Sequence, residues 1–410
     1  MKRRATQSWG EDNITRPSAQ LPNPFRLLVV SHSCSTSTNQ SLYCELSRAY
    51  DWQIQIIVPA LWKDEFENYL DQPAALGLQG RVNKVPVWFN GNIIFHLYRK
   101  RWTRFLERKK FDLIYVNHEP YALATAQVCL ANQRTRRPAA FGFYSCQNIS
   151  KRYPVPFRWF ERYVYRNSNF AFPISEAVSR VLSSKGFSGI NSIAPLPLDT
   201  QLYFPRSPTE DLDLIPRQPN ECVLGFVGRL VKPKGLLTLA KALGQIQDLA
   251  WKLVVIGTGD DEQEFREALK AEQVGPRVDF LGYVPHGETP RYLSAMDLLV
   301  VPSETQPNWK EQFGRVITEA MACGTPVIGS NSGEIPRLIG DSSGGAVFPE
   351  RNSTALANLL RIWIGDTAQR ARAAERGKDW VTKNGSIESV AKIVDATLRQ
   401  TIQTRNASPT

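Results

Sequence analysis

Short apolar runs alternate with amphipathic helical segments along most of this chain, and that alternation restricts it to parallel, doubly wound α/β sheets. The pattern is clearest in the C-terminal half. Cys222 to Val227 reads as a strand, followed by a basic loop and an amphipathic helix from Leu236 to Ile246. Strands follow at Leu253–Ile256, Val278–Leu281, Leu298–Pro302 and Pro326–Gly329, with helices at Phe265–Gln273 and Pro290–Ala295 between them. The N-terminal half repeats the style, with strands predicted at Arg26–Ser31, Gln53–Val58, Leu113–Asn117, Ala139–Tyr144 and Asn169–Pro173. With 410 residues the chain exceeds one ordinary core, so two domains are expected. Residues 1–21 read as a disordered tail, 22–205 as the first domain and 221–375 as the second. Between the domains, 206–220 lies in a proline-rich stretch that reads as a linker. Two such domains side by side leave a cleft at the carboxyl ends of their strands, where ligands bind in these folds.

The composition is that of an ordinary soluble protein, with 42% hydrophobic and 22% charged residues. The longest apolar runs, such as Leu27–Val30, are strand-sized, far short of a membrane span. The N-terminus, Met1-Lys2-Arg3-Arg4, lacks the apolar region of a signal peptide. Cys34, Cys44, Cys129, Cys146, Cys222 and Cys323 form no C-x-x-C pair and read as reduced thiols, which fits a cytoplasmic location. Charge is lopsided: residues 1–200 hold 26 Lys and Arg against 14 Asp and Glu, while the whole chain carries +11. The basic surplus therefore belongs to the first half and points to an anionic partner there.

Two segments carry chemistry. Glu311 and Glu319 bracket the stretch Glu311-Gln312-Phe313-Gly314-Arg315, which opens a short helix rich in small residues and closed by Cys323-Gly324-Thr325-Pro326. A helix N-terminus offers free N–H groups and partial positive charge to a phosphate. Carboxylates before it and about two turns into it can hold different hydroxyls of one elongated ligand. A lone Glu pair at this spacing is by default a solvated surface, so the surrounding context carries the argument. The second segment, Gly228-Arg229-Leu230-Val231-Lys232-Pro233-Lys234-Gly235, follows a strand and opens a helix, so Arg229 and Lys234 can reach a diphosphate. By itself it would read as a solvated basic turn. Gly257-Thr258-Gly259 fails the dinucleotide fingerprint because Glu262 occupies the third glycine position.

These pieces, in this order and spacing from Cys222 to about Pro349, resemble a family-4 retaining glycosyltransferase (glycosyltransferase group 1) with the GT-B fold, two Rossmann-like domains facing across a cleft. The first half is similar more loosely, through its strand pattern, His118-Glu119-Pro120 and Ile174-Ser175-Glu176. The resemblance implies a nucleotide diphosphate sugar as donor, held by the second domain, and a glycan or lipid-linked acceptor on the first. It implies that Gly228, Arg229 and Lys234 hold the diphosphate and that Glu311 binds sugar hydroxyls. Gln312, Phe313 and Gly314 would present backbone N–H groups, Glu319 would bind ribose, and Tyr283 and Val284 would flank the base. It also implies that helices after about residue 376 cross back to the first domain. Neither domain carries an Asp-x-Asp motif, so no obligatory metal is expected, with Arg229 and Lys234 supplying positive charge instead.

Two departures from the family bear on the first domain. The Gly-Gly loop of many relatives is replaced by His32-Ser33-Cys34-Ser35-Thr36-Ser37-Thr38-Asn39-Gln40. The His that many relatives carry after the fourth strand is replaced by Tyr144-Ser145-Cys146-Gln147-Asn148. His118, Gln147 or Asn148 serves in its place, or no such group is needed. His118 otherwise reads as a structural cap or a surface histidine, His32 is a weaker candidate, and His96 and His286 read as incidental. Ser37, Thr38, Asn39, Gln147 and Asn148 are the acceptor-side candidates.

Basic stretches at Arg99–Lys110 and Lys151–Tyr163 interleave aromatics and suit either an anionic membrane surface or a packed helix with a solvated face. No nucleic-acid module is recognised, and no nucleic acid is expected as partner. The competing readings are an epimerase or hydrolase on the same fold and a non-catalytic glycan- or lipid-binding relative. The diphosphate grip argues against the binder.

Overall fold

The computed structural model describes residues 24–63, 69–70, 74–206 and 214–407. The expected tail at 1–21 lies outside the described residues, as does 207–213 of the expected linker. Each half of the chain forms one parallel sheet. The N-terminal sheet comprises β1 (Arg26–Val30), β2 (Gln53–Pro59), β3 (Val82–Val85), β4 (Leu113–Val116), β5 (Ala140–Ser145), β6 (Phe170–Pro173) and β7 (Ile190–Asn191), in the order β7-β6-β5-β4-β1-β2-β3. The C-terminal sheet comprises β8 (Cys222–Val227), β9 (Trp251–Ile256), β10 (Val278–Gly282), β11 (Leu298–Val301), β12 (Val327–Ser330) and β13 (Gly345–Phe348), in the order β10-β9-β8-β11-β12-β13. Both sheets run outward from their first strand in two directions. Each therefore has a switch point, between β1 and β4 and between β8 and β11, where the connecting loops part and leave a crevice. The strands are continuous apolar runs such as Leu298-Leu299-Val300-Val301, because helices cover both faces.

The helices are α1 (Ser41–Ala49), α2 (Trp102–Lys109), α3 (Leu123–Gln133), α4 (Phe157–Arg166) and α5 (Glu176–Ser184) in the first half. The second half carries α6 (Leu236–Gly244), α7 (Glu262–Ala271), α8 (Thr289–Ala295), α9 (Arg315–Ala322), α10 (Ile335–Ser342), α11 (Ser353–Gly365), α12 (Thr367–Asn384) and α13 (Ile387–Ala407). The crossing back falls at Gly385–Ser386 rather than near residue 376. There Leu198 N donates to Gly385 O at 2.8 Å and Ile387 N donates to Leu198 O at 3.1 Å. Before that point α12 packs on α9 and α10. Beyond it Val390, Ala391, Val394 and Leu398 join the core of the first domain with Leu27, Val29 and Trp52. Trp52 Nε1 donates to Asp395 Oδ1 at 2.7 Å, so the last helix is tied by a buried polar contact as well as by apolar burial. One hydrophobic cluster runs through both halves, from Ile114 and Phe141 to Phe313 and Ile317. Among the described residues no helix is long and apolar enough to cross a membrane.

Candidate active site in the cleft

The second domain builds its side of the cleft from the loops after β8 and β11. Beyond β8 the chain stays in register with its neighbour: Gly228 N donates to Ile256 O at 3.0 Å and Leu230 N to Thr258 O at 2.9 Å. A 3₁₀ turn over Lys232–Lys234 then ends at Gly235, whose φ of 69° starts α6. This turn points Lys234 across the cleft floor, where its Nζ donates to Glu311 Oε2 at 2.7 Å. Ser303 Oγ donates to the same carboxylate oxygen at 3.1 Å, and the Lys234 ammonium lies 5.1 Å from the Trp309 ring centre. Glu311 is nearly buried, at 8% exposure, so its charge depends on that cation and that hydroxyl. The Glu311 carbonyl is also held, by Glu334 N at 3.1 Å and, from the other domain, by Asn148 Nδ2 at 2.9 Å.

Gln312, Phe313 and Gly314 follow at the mouth of α9. Gly314 sits at φ 75°, a left-handed turn that opens α9, while the Phe313 ring is buried. Because α9 begins at Arg315, Glu319 is little more than one turn into the helix, not two. Its carboxylate is buried and its pKa is raised by that burial, against the opposing pull of Arg315 and a hydrogen bond from Tyr203. Arg315 Nε stands 3.6 Å from Glu319 Oε1. Arg229 is exposed beyond β8, Tyr283 is exposed beyond β10, and Val284 is half-buried. The structure thus bonds Lys234 to Glu311 and carries Gln312–Gly314 and Glu319 on the segment that follows, with Arg229, Tyr283 and Val284 on loops after β8 and β10. The sequence has one Asp-x-Asp triplet, Asp211-Leu212-Asp213 in the linker, and it lies outside the described residues.

A cavity of about 380 Å³ lies in the first domain where the second meets it. Its lining includes the polar residues His32, Asn39, His118, Tyr203, His286 and Arg315, and an apolar wall from Phe172 and α13 residues Val390, Val394 and Leu398. His118 is 2% exposed, which overturns the surface reading. Its ring stacks on His32 at 4.5 Å with Nδ1 to Nδ1 at 2.9 Å, so one of the pair donates and the other accepts. His96, which reads as incidental in the sequence, is fully buried 4.7 Å from His118, with Trp62 packed against it and His32. Burial lowers the pKa of His32 to about 3 and of His96 to about 4, and pushes His118 well below the ordinary value. All three are therefore neutral at physiological pH.

In the unfolded chain the same rings protonate near 6.5. The folded state binds fewer protons below that pH, so the stabilisation present above 6.5 is lost as pH falls towards 4. We expect the melting temperature to drop across this window, by an amount equivalent to about 3 kcal/mol for His96 alone. In His96→Leu the drop across the same window should shrink. An unchanged slope would remove His96 from this account.

Glu119 is the residue that sequence reasoning passed over as part of a motif. Buried in the lining of the cavity, it accepts from Ser145 Oγ at 2.8 Å and from Cys146 N at 2.7 Å, and so sets the loop after β5. Burial raises its pKa, opposed by those hydrogen bonds. The acceptor-side candidates divide. Thr38 is exposed at the loop, but Asn39 Nδ2 donates to Ser33 O and Thr36 Oγ1, both at 2.9 Å, and so holds the loop's own shape. Ser37 is half-buried. Gln147 Oε1 accepts from Ile149 N at 3.1 Å, and the Asn148 amide binds the Glu311 carbonyl, a strut between domains rather than a free group. His286 corrects a second reading: its Nδ1 lies 3.0 Å from Tyr203 Oη, which reaches on to Glu319. Nothing in the sequence pairs Tyr203 with His286, because they lie 83 residues apart and meet only in the folded chain.

Two doubly wound domains meeting across such a cleft define the GT-B architecture. Over most of their length the chains of sucrose-phosphate synthase from Thermosynechococcus elongatus and of Anabaena HepE in complex with UDP superpose on this one. Sucrose-phosphate synthase superposes with a TM-score of 0.70 at 19% identity, covering 93% of this chain and 100% of its own. HepE gives 0.69 at 19% identity, covering 92% and 100%. At that identity the likeness is one of fold. Residues 211–380 match the family model described as "Glycosyl transferases group 1". Among curated relatives it is 32% identical over 155 residues to 2-deoxystreptamine N-acetyl-D-glucosaminyltransferase of Streptomyces fradiae, covering 37% of this chain and 35% of that one. It is 26% identical over 226 residues to the putative colanic acid biosynthesis glycosyltransferase WcaL of Escherichia coli, covering 53% of each. The alignments span half or less of these relatives' lengths, apart from slightly more for WcaL.

Proposed function

We propose that the protein is a family-4 retaining glycosyltransferase that moves a sugar from a nucleotide diphosphate sugar to a glycan or lipid-linked acceptor, in the synthesis of a polysaccharide or glycolipid. The observation that carries the reading is the Lys234–Glu311 pair at 2.7 Å beside the N-terminus of α9. It sets a cation for a leaving diphosphate next to a carboxylate for sugar hydroxyls, at the switch point of a nucleotide-type sheet. UDP in the HepE complex supports a nucleotide donor, and the names of the curated relatives support sugar transfer.

In the reaction the bond from the anomeric carbon to the diphosphate oxygen breaks as the acceptor oxygen bonds to that carbon from the same face, and the departing phosphate takes the acceptor proton. Negative charge grows on the diphosphate, and Lys234, Arg229 and the first N–H groups of α9 stabilise it. On donor binding Lys234 turns from Glu311 to phosphate and frees the carboxylate for the sugar. Glu319, one helical turn on, takes the ribose hydroxyls, and the cavity holding His118 takes the acceptor.

Thermal melting with a panel of nucleoside diphosphates and their sugars tests this reading. One nucleotide series should raise the melting temperature of the wild type, and Glu319→Ala should lose most of that shift. No shift with any nucleotide would overturn the donor assignment.

A further inference from the structure

Among the described residues of the first domain, a cluster of exposed apolar side chains lies on a loop rather than on the basic helices that stand out in the sequence. The apolar side of α2 is committed: Trp102 and Leu106 are buried in the core. Between Val87–Trp88 and Leu97–Tyr98, which pair antiparallel, the chain instead presents Trp88, Phe89, Ile93, Ile94 and Phe95, each 38–64% exposed. The loop is not slack. Asn92 Oδ1 accepts from Ile94 N at 3.1 Å and Phe95 N at 3.0 Å, and Leu123 N pins Ile94 O at 2.9 Å. Its backbone polar groups are thus largely occupied internally, the condition for leaving water. Phe89 is held at φ 56°, an unusual conformation for an aromatic residue, with its ring 64% exposed. Phe95 meets Phe157 edge-on at 5.1 Å, which joins the loop to the start of α4, where Trp159 is 59% exposed.

The surroundings are cationic. The Arg99 guanidinium lies 5.6 Å from the Trp88 ring centre, and Arg101, Arg104, Arg152 and Arg162 follow on the flanking segments. Residues 81–106 and 147–160 contain no Asp or Glu. Aromatic and aliphatic side chains ringed by arginine suit the boundary between anionic headgroups and acyl chains. A second copy of this surface would set cation against cation.

We propose that the loop from Trp88 to Phe95, together with Trp159, docks the protein on an anionic phospholipid bilayer. Ile93 also lines the cavity that holds His118, so the docked face is continuous with the proposed acceptor entrance. A bilayer-borne acceptor then reaches the site without crossing water. That last step rests on the glycosyltransferase reading above, whereas the docking itself does not.

The test is co-flotation of the full chain with vesicles of phosphatidylglycerol and phosphatidylcholine in equal parts, or of phosphatidylcholine alone, for wild type and for Phe89→Asn/Ile94→Thr/Trp159→Gln. Asn tolerates the positive φ at position 89, and melting with and without nucleotide checks fold and donor site separately. Wild type should float with the mixed vesicles, with tryptophan emission shifted to the blue, at least tenfold better than with phosphatidylcholine alone. The folded triple variant should lose at least tenfold of that binding. Failure to float with either vesicle, or equal binding by wild type and folded variant, would overturn the proposal. So would a wild-type dimer that the variant dissolves, since the patch would then be a contact between copies. A nucleotide shift retained in any of these cases would leave the donor reading standing.

Discussion

Replacing Lys234 with alanine should lower sugar transfer by about two to three orders of magnitude, the loss seen when one preorganised donor to a developing anion is removed. The ammonium has no substitute at that point: it is the group bonded to Glu311 at 2.7 Å, and its stem is fixed by the 3₁₀ turn and Gly235. Removal has a second effect. Glu311 keeps Ser303 as a donor at 3.1 Å but loses its cation while nearly buried, so the variant should also lose about 1–3 kcal/mol of stability. The two effects separate when Glu311→Gln is added. The double variant should recover melting temperature, because no buried charge is stranded, and should remain as slow as the single one. Turnover of Lys234→Ala within a few-fold of wild type would remove Lys234 from the reaction.

Gly235→Ala should be among the most damaging substitutions of a small residue in the second domain. A methyl group there would meet Pro302 O at 1.9 Å, a backbone atom at the end of β11 that has no free direction to retreat. The residue also stands at φ 69°, where alanine is strained by roughly 1–2 kcal/mol before any collision. Together these should cost about 3 kcal/mol or more, seen as a large fall in melting temperature. Because the turn that carries Lys234 must shift to relieve the contact, any folded fraction should also show weakened nucleotide binding. A melting temperature within a degree or two of wild type would mean that the loop is far more compliant than its contacts indicate.

Much of this architecture is legible in the chain. The alternation of apolar runs and helices places β8 at Cys222–Val227, where the structure has it, because a strand covered on both faces leaves an unbroken signal. Shorter or less regular elements were harder to read. The strand Val82–Val85 has neither a continuous apolar run nor clear flanks, and its place at the edge of the first sheet follows only from pairing with β2. The proposed donor side can be put forward from the sequence because Gly228–Gly235 and Glu311–Glu319 are contiguous segments whose turns and helix bring their own residues together. The first-domain side was not: His32, His96 and His118 come from three separate stretches, and only the folded sheet stacks them. His286 and Tyr203 are likewise 83 residues apart, and Asn148 and Glu311 163 apart, until tertiary packing joins them.

The sequence by itself determined the fold class and singled out the residues proposed to grip a diphosphate, because periodicity, turn residues and short-range motifs are local properties of the chain. The tertiary structure alone decided which side chains are partners. It turned Asn148 from an acceptor candidate into a strut on Glu311. It neutralised three histidines by burying them together, and it left the apolar loop at Trp88–Phe95 exposed while sinking Trp102 and Leu106. Burial and long-range pairing depend on how distant segments pack, and a side chain's charge, exposure and availability follow from that packing rather than from its neighbours in sequence.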